Sequence, residues 1–173
     1  MSSAHIRTFT GKTFFPLNPK AEDIDIQDIA HSLSNMCRFV GHCTHFYSVA
    51  QHCVLVSYQV PAEHALWGLL HDASEAYISD VATPIKRMPE MKAYCEAEDR
   101  LMLAVCKAFS LDFIEPDSVC IADKRMLATE QRCLGSAPHN STHYEPYDFT
   151  IEPMLPADAK ALYLVRYKEL TGT

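Results

Sequence analysis

The chain has 173 residues, of which 48% are hydrophobic and 21% charged, a balance that excludes intrinsic disorder and is enough to build one domain around a sizeable core. Mean hydropathy is −0.09, no uncharged apolar run reaches the roughly 18 residues of a membrane span, and the opening MSSAHIRTF lacks an apolar stretch, so neither a transmembrane helix nor a secretory signal is expected. A net charge of −7 and a pI near 5.7 weigh against a nucleic-acid polymer as partner, because duplex binding needs a basic face; a small phosphorylated ligand stays open, since a bound divalent ion and a few cations reverse the field inside one pocket.

The first 20 residues, through Thr8-Phe9-Thr10-Gly11-Lys12-Thr13-Phe14-Phe15-Pro16, read as an extended arm or short hairpin. Gly11-Lys12-Thr13 looks like the end of a phosphate-binding loop, but that motif needs Gly where Ile6 stands, so it is rejected. From Asp25 the period is helical, with Ile26, Ile29, Leu33 and Met36 on one stripe. A second helix is predicted from Tyr47 to Tyr58, broken by Pro61, and a third from Glu63 to about Tyr77 with Leu66, Leu69, Leu70 and Ala73 inside. Pro84 and Pro89 interrupt the chain before a fourth helix, Glu90 to Phe109. A fifth follows from Asp117 to Cys133, carrying Val119, Ile121, Met126 and Leu127. Gly135 to Pro156 is rich in turn residues, and Pro156-Ala157-Asp158 opens a last helix to Leu170. The expectation is an all-α bundle of five to six helices in one domain: an extended N-terminal arm over 1–23, a helical core over 24–133, and a C-terminal loop and helix over 134–173.

Seven cysteines, an odd number without a CxxC pair, suit a reducing, cytoplasmic compartment, where the sequon Asn140-Ser141-Thr142 is an accident. His31, His64, His139 and His143 read as surface or packing residues, and the Tyr163/Tyr167 stripe as core or subunit contact. In Gly41-His42-Cys43-Thr44-His45 the donors are close, but a structural zinc site wants a second pair at similar spacing and none appears.

The chemistry concentrates in Leu69-Leu70-His71-Asp72-Ala73-Ser74-Glu75. An imidazole and a carboxylate on an apolar helix are costly to bury unless paired, hydrogen-bonded or bound to metal. Glu75 lies four residues from His71 and three from Asp72, and Asp80 follows past the helix; the crowded carboxylates repel one another, which a divalent cation relieves. His52 and Asp123 are polar residues in locally apolar helices. Each alone more often serves packing than ligation, but two His and two Asp from three helices make a mixed nitrogen–oxygen site for one divalent ion, drawn from Mn, Co, Zn, Fe, Ni or Mg.

The ordered set His52 … His71-Asp72 … Asp123 resembles the signature of the HD-domain metal-dependent phosphohydrolases, and His71 through Glu75, Asp80 and Thr83-Pro84-Ile85-Lys86 look like the 5′-deoxynucleotidase branch, close to phage dATP triphosphohydrolases. The resemblance spans roughly Asp25 to Glu130. It implies His52, His71, Asp72 and Asp123 as metal ligands, Glu75 and Asp80 as the acid–base carboxylates, and Arg38 and Lys86 as phosphate-side cations. Phe39 stands where related enzymes often carry Trp against the sugar, and His45 is placed beside the nucleotide. The bland alternatives are helix-end capping for Glu75 and Asp80, and a helix-dipole partner for Arg38. The substrate implied is a deoxynucleotide, first a 5′-monophosphate and alternatively a triphosphate such as dATP, handled by a homo-oligomer; a second ion arriving with the phosphates is left open. A reading from another class is a catalytically silent nucleotide-binding helical module.

Overall fold

The computed structural model describes residues 4–135 and 143–172; the predicted features at His139 and Asn140-Ser141-Thr142 lie outside them. The arm forms a hairpin of β1 (Ile6–Arg7) and β2 (Thr13–Phe14), paired antiparallel, with Gly11 at φ +86 in its turn. Asp28 holds that turn down, accepting from Thr10 N at 2.7 Å and Thr10 Oγ1 at 2.9 Å. Phe14 then reaches the core, fully buried and stacked on Tyr77 at 4.1 Å.

The rest is all-α, in the order α1 (Ile26–Asn35), α2 (Val49–Ser57), α3 (Ala65–Leu70), α4 (Glu75–Ile78), α5 (Thr83–Lys86), α6 (Lys92–Phe109), α7 (Asp117–Leu134) and α8 (Pro156–Thr171). Asp25 caps α1 by accepting from Gln27 N at 2.9 Å, and Ser48 caps α2 by accepting from Gln51 N at 3.1 Å. Ser110 at φ 55 and Gly172 at φ 72 end α6 and α8 in the left-handed conformation. No helix among the described residues is long and apolar enough to cross a membrane.

Helix α2 is the centre. It packs against α1, α3, α7 and α8, and of its residues only Leu55 is not fully buried. A helix surrounded on all sides is apolar on all sides; α2 obeys except at Gln51, His52 and Ser57. Gln51 is satisfied by the C-terminal segment, its Nε2 donating to Glu152 O at 2.7 Å and its Oε1 accepting from Met154 N at 3.0 Å. Ser57 Oγ donates to Val54 O at 2.7 Å and accepts from Arg166 Nε at 3.1 Å. Tyr163 belongs to the core, its hydroxyl donating to Leu69 O at 2.8 Å, while Tyr167 meets Phe109 edge-on.

The predicted third helix is not continuous. It becomes a 3-10 turn at Ala62–His64, then α3, then a tight stretch over 71–74, then α4. Through this stretch the amides bond three residues back, Ala73 N to Leu70 O at 2.9 Å and Glu75 N to Asp72 O at 3.0 Å, which overwinds the chain where its polar residues face inward. Ser79, at φ 70 and ψ 156, then stops α4. Pro84, read as an interruption, instead starts α5, where its missing N–H costs nothing. Ile121, predicted on the apolar stripe of α7, faces outward at 47% exposure.

Gly68 sets how closely α3 approaches α2: an added Cβ would lie 3.2 Å from Ser57 Cα and 3.3 Å from Val60 Cγ2. Gly68→Val is expected to lower the unfolding free energy by about 1–3 kcal/mol through overpacking against backbone. Urea titration checks this; an unchanged midpoint would show that the spacing is set elsewhere.

Candidate metal centre

Helix α2 brings His52 to the middle of the molecule with no exposure, the turn after α3 supplies His71 and Asp72, and α7 supplies Asp123. Their donor atoms converge. His52 Nε2 is 3.2 Å from His71 Nε2, 3.1 Å from Asp123 Oδ1 and 3.8 Å from Asp72 Oδ2. His71 Nε2 is 3.3 Å from Asp72 Oδ2 and 4.0 Å from Asp123 Oδ1. His52, His71 and Asp72 offer atoms that all lie within 4.8 Å of one another. Asp123 joins through both imidazoles and is the outermost of the four, its side chain 38% exposed against 21% for Asp72 and 7% for His71.

The tautomers decide what this cluster can hold. His71 Nδ1 is 2.8 Å from Gly68 O, which only accepts, so that nitrogen donates. His52 Nδ1 is 2.6 Å from Glu130 Oε1. Glu130 is fully buried; burial raises its pKa, but Arg38 and His52 outweigh burial and hold it below the ordinary carboxylate range, so His52 Nδ1 donates as well. In the neutral imidazoles both lone pairs are then on Nε2, facing each other and two carboxylate oxygens. The acceptors of His52, His71 and Asp72, with Asp123 beside the two imidazoles, repel one another unless a proton or a metal cation sits among them. Donors about 2.1 Å from a shared ion lie roughly 3 Å apart when adjacent, which is the spacing of the shorter pairs here. The residues therefore fit one divalent ion, with both imidazoles oriented by bonds from their far nitrogens. In the ion-free protein burial and Arg38 depress His52, yet Glu130 and Asp123 prevail and push it up to about 9. Asp123 moves the opposite way: burial raises it, and His52 and His71 bring it well below the usual range.

Glu130, which the residue pattern did not single out, is the principal support. Its Oε2 accepts from Arg38 Nε at 3.1 Å and Nη2 at 3.0 Å, while Oε1 takes His52. The available signal was its spacing, seven residues after Asp123 and so on the same face of α7. Arg38 is thus engaged with Glu130, and its Nη1 lies 3.7 Å from Asp72 Oδ2. Phe39 follows with φ 56, its ring 5.7 Å from the Arg38 guanidinium carbon.

Glu75 is buried beside this group. Burial, with the Asp72 and Asp80 charges, pushes its carboxyl up to about 10 against the pull of Lys86 and Arg38. Lys86 Nζ is 2.6 Å from Glu98 Oε1 and 3.5 Å from Glu75 Oε1, so its charge is shared with a second unforeseen residue, Glu98. Asp80 is partly buried after the Ser79 turn, close enough for its charge to act on Glu75. His45 stands apart, exposed, with Nδ1 3.2 Å from Thr44 Oγ1.

The fold and the cluster define an all-α protein with a partly buried His–His–Asp group able to hold a metal ion. No known family model matches the chain. It is 39% identical over 173 residues, 96% of its own length and 95% of the relative's, to the uncharacterized protein YfdR of Escherichia coli strain K12, and it belongs to the YfdR family. An uncharacterized protein of Rhodobacter capsulatus is 38% identical over 125 residues, covering 67% of this chain and 63% of the relative.

Glutamine at position 130 keeps an oxygen that can accept from His52 Nδ1 but removes the charge behind that bond. Glu130→Gln is expected to weaken Mn²⁺ binding about 10- to 100-fold, read by metal titration of the apo-protein. Unaltered affinity would mean that the carboxylate charge behind His52 does not strengthen the ligand.

Proposed function

We propose that this protein is a metal-dependent phosphohydrolase of the HD-domain type acting on deoxyribonucleotides, with deoxynucleoside 5′-monophosphates as first choice. One observation carries the reading: His52, His71, Asp72 and Asp123, from three separate segments, converge with both imidazole Nδ1 atoms committed elsewhere. The motif resemblance supports the substrate class. Seven free cysteines fit the reducing cytoplasm as its compartment.

His52, His71, Asp72 and Asp123 would hold a divalent ion, which would supply Lewis-acid polarisation of a phosphoryl oxygen and a more acidic water at neutral pH. The remaining work falls to the side chains. Glu75, buried and biased toward its protonated form, is the group to exchange a proton with the attacking water or the leaving oxygen, and Asp80 is the adjacent carboxylate that modulates it. Arg38 offers a planar fork for two phosphate oxygens, and Lys86 a point charge from the Glu75 side. Both cations already pair with carboxylates, so a phosphate shares them and meets charges fixed in advance. Phe39 beside Arg38 is the side chain assigned to the sugar, where bulk disfavours a 2′-hydroxyl; His45, exposed further along the same segment and apart from the metal cluster, is assigned a contact with the nucleotide.

With Mn²⁺ or Co²⁺ supplied, free phosphate is expected from dAMP. Tripolyphosphate from dATP would move the assignment to a triphosphohydrolase, and inertness of the metal-loaded protein toward both would overturn it in favour of a silent binding module. Glu75→Ala is expected to reduce turnover at least 100-fold with metal content unchanged by elemental analysis, whereas Asp72→Ala is expected to lose the metal itself.

A further inference from the structure

Cys37 Sγ and Cys43 Sγ lie 3.6 Å apart, both thiols free and both residues partly exposed. They close the loop that carries Arg38. One end is anchored by the Cys37–Ser48 bridge and by Arg38 N donating to Tyr47 O at 2.9 Å; at the other, Cys43 Sγ faces Arg38 O at 3.9 Å. Between them Phe39 (φ 56), Val40 (φ 54) and Gly41 (φ +79) are successive left-handed residues, a conformation that a β-branched side chain rarely adopts. Among the described residues the group able to hold a metal is His52, His71 and Asp72, and neither cysteine belongs to it, so this pair lacks the further ligands a thiolate metal site needs. A disulfide needs none. Its S–S bond of about 2.05 Å requires the sulfurs to approach by roughly 1.5 Å.

We propose that Cys37 and Cys43 form a reversible disulfide that resets the loop presenting Arg38. The oxidant is a low-molecular-weight disulfide, for which oxidised glutathione serves as probe. One cysteine thiolate attacks a glutathione sulfur, breaking that S–S bond and expelling one glutathione thiolate, which takes up a proton. The second cysteine thiolate attacks the protein sulfur of the mixed disulfide, forming the Cys37–Cys43 bond and expelling the second glutathione. The protein loses two electrons and two protons; glutathione disulfide becomes two thiols. The bond itself is independent of the proposed hydrolysis. Its consequence, displacement of Arg38 from its place between Glu130 and Asp72, rests on that reading.

The sequence makes the test direct. Trypsin cleaves after Lys20, Arg38 and Lys86, so peptide 21–38 holds Cys37 as its one cysteine, and peptide 39–86 holds Cys43 and Cys53. Full-length protein treated with oxidised glutathione, acid-quenched and alkylated is expected to yield the linked pair 21–38/39–86 by mass spectrometry, lost on adding dithiothreitol and absent in both C37S and C43S. Separate glutathione adducts without the linked pair, or a linked pair that persists in C43S through Cys53, would overturn the proposal. Oxidation is further expected to lower kcat/KM for dAMP at least tenfold in the wild type, reversibly, and to leave C43S unaffected. A linked pair with unchanged turnover would overturn the regulatory consequence alone. A linked pair in a protein inert toward dAMP when reduced would overturn the hydrolytic reading and leave the disulfide standing.

Discussion

The structure depends on one contact: the bond between His52 Nδ1 and the buried Glu130 carboxylate. An imidazole at the centre of a helix buried all round has no water to satisfy it, and both ring nitrogens need partners from the protein. Glu130 takes one. That commitment fixes the tautomer, turns the other nitrogen toward His71 and Asp123, and so defines where a cation belongs. The same carboxylate must be neutralised, and Arg38 does so through two bonds to the second oxygen. His52, Glu130 and Arg38 thereby tie α2, α7 and the Cys37–Cys43 loop into one electrostatic unit. Breaking a buried pair by removing one partner typically costs about 3–5 kcal/mol, so the arrangement is held tightly by its own penalties.

The packing around α2 serves this unit. Gly68 lets α3 come close enough for the His71 ring to reach His52, and the Gly68 carbonyl then holds that ring. Gln51, one residue before His52, ties the C-terminal segment across the same helix through both atoms of its amide. Polar residues in the central helix are therefore placed where a neighbouring backbone or charge completes them, and His52 differs in having one nitrogen left for a ligand.

Much of this was legible in the sequence, and the remainder was hidden for definite reasons. The helices α1, α2, α6, α7 and α8 announced themselves through apolar period, with Pro156 marking the start of α8. The third helix looked continuous because its apolar residues keep a helical period across 71–74; periodicity cannot reveal that amides there bond three residues back. His52, His71, Asp72 and Asp123 were identifiable as polar interruptions of apolar helices. Glu130 was not, because α7 carries several charged residues and only tertiary packing distinguishes the buried one. The same holds for Glu98 on α6, one acidic residue among Glu96 and Asp99 until Lys86 selects it. Arg38 was read as a phosphate-side cation through the resemblance, and its carboxylate partner lies 92 residues further along the chain, beyond any local pattern.

Charge balance around the cluster bears on the proposed chemistry. Asp72, Asp123, Glu130, Glu75, Asp80 and Glu98 surround two permanent cations, Arg38 and Lys86. Glu75 relieves part of this excess by favouring its protonated form, but the neighbourhood stays negative. A phosphate cannot enter such a field on the strength of cations already engaged with carboxylates. On the proposed reading a dication held by His52, His71, Asp72 and Asp123 would change the local sign and draw Glu75 toward ionisation, so that its proton could be passed on. On the proposed reading, metal, anion and proton transfer are therefore linked: the carboxylates that hold the ion also keep a phosphate out until it binds.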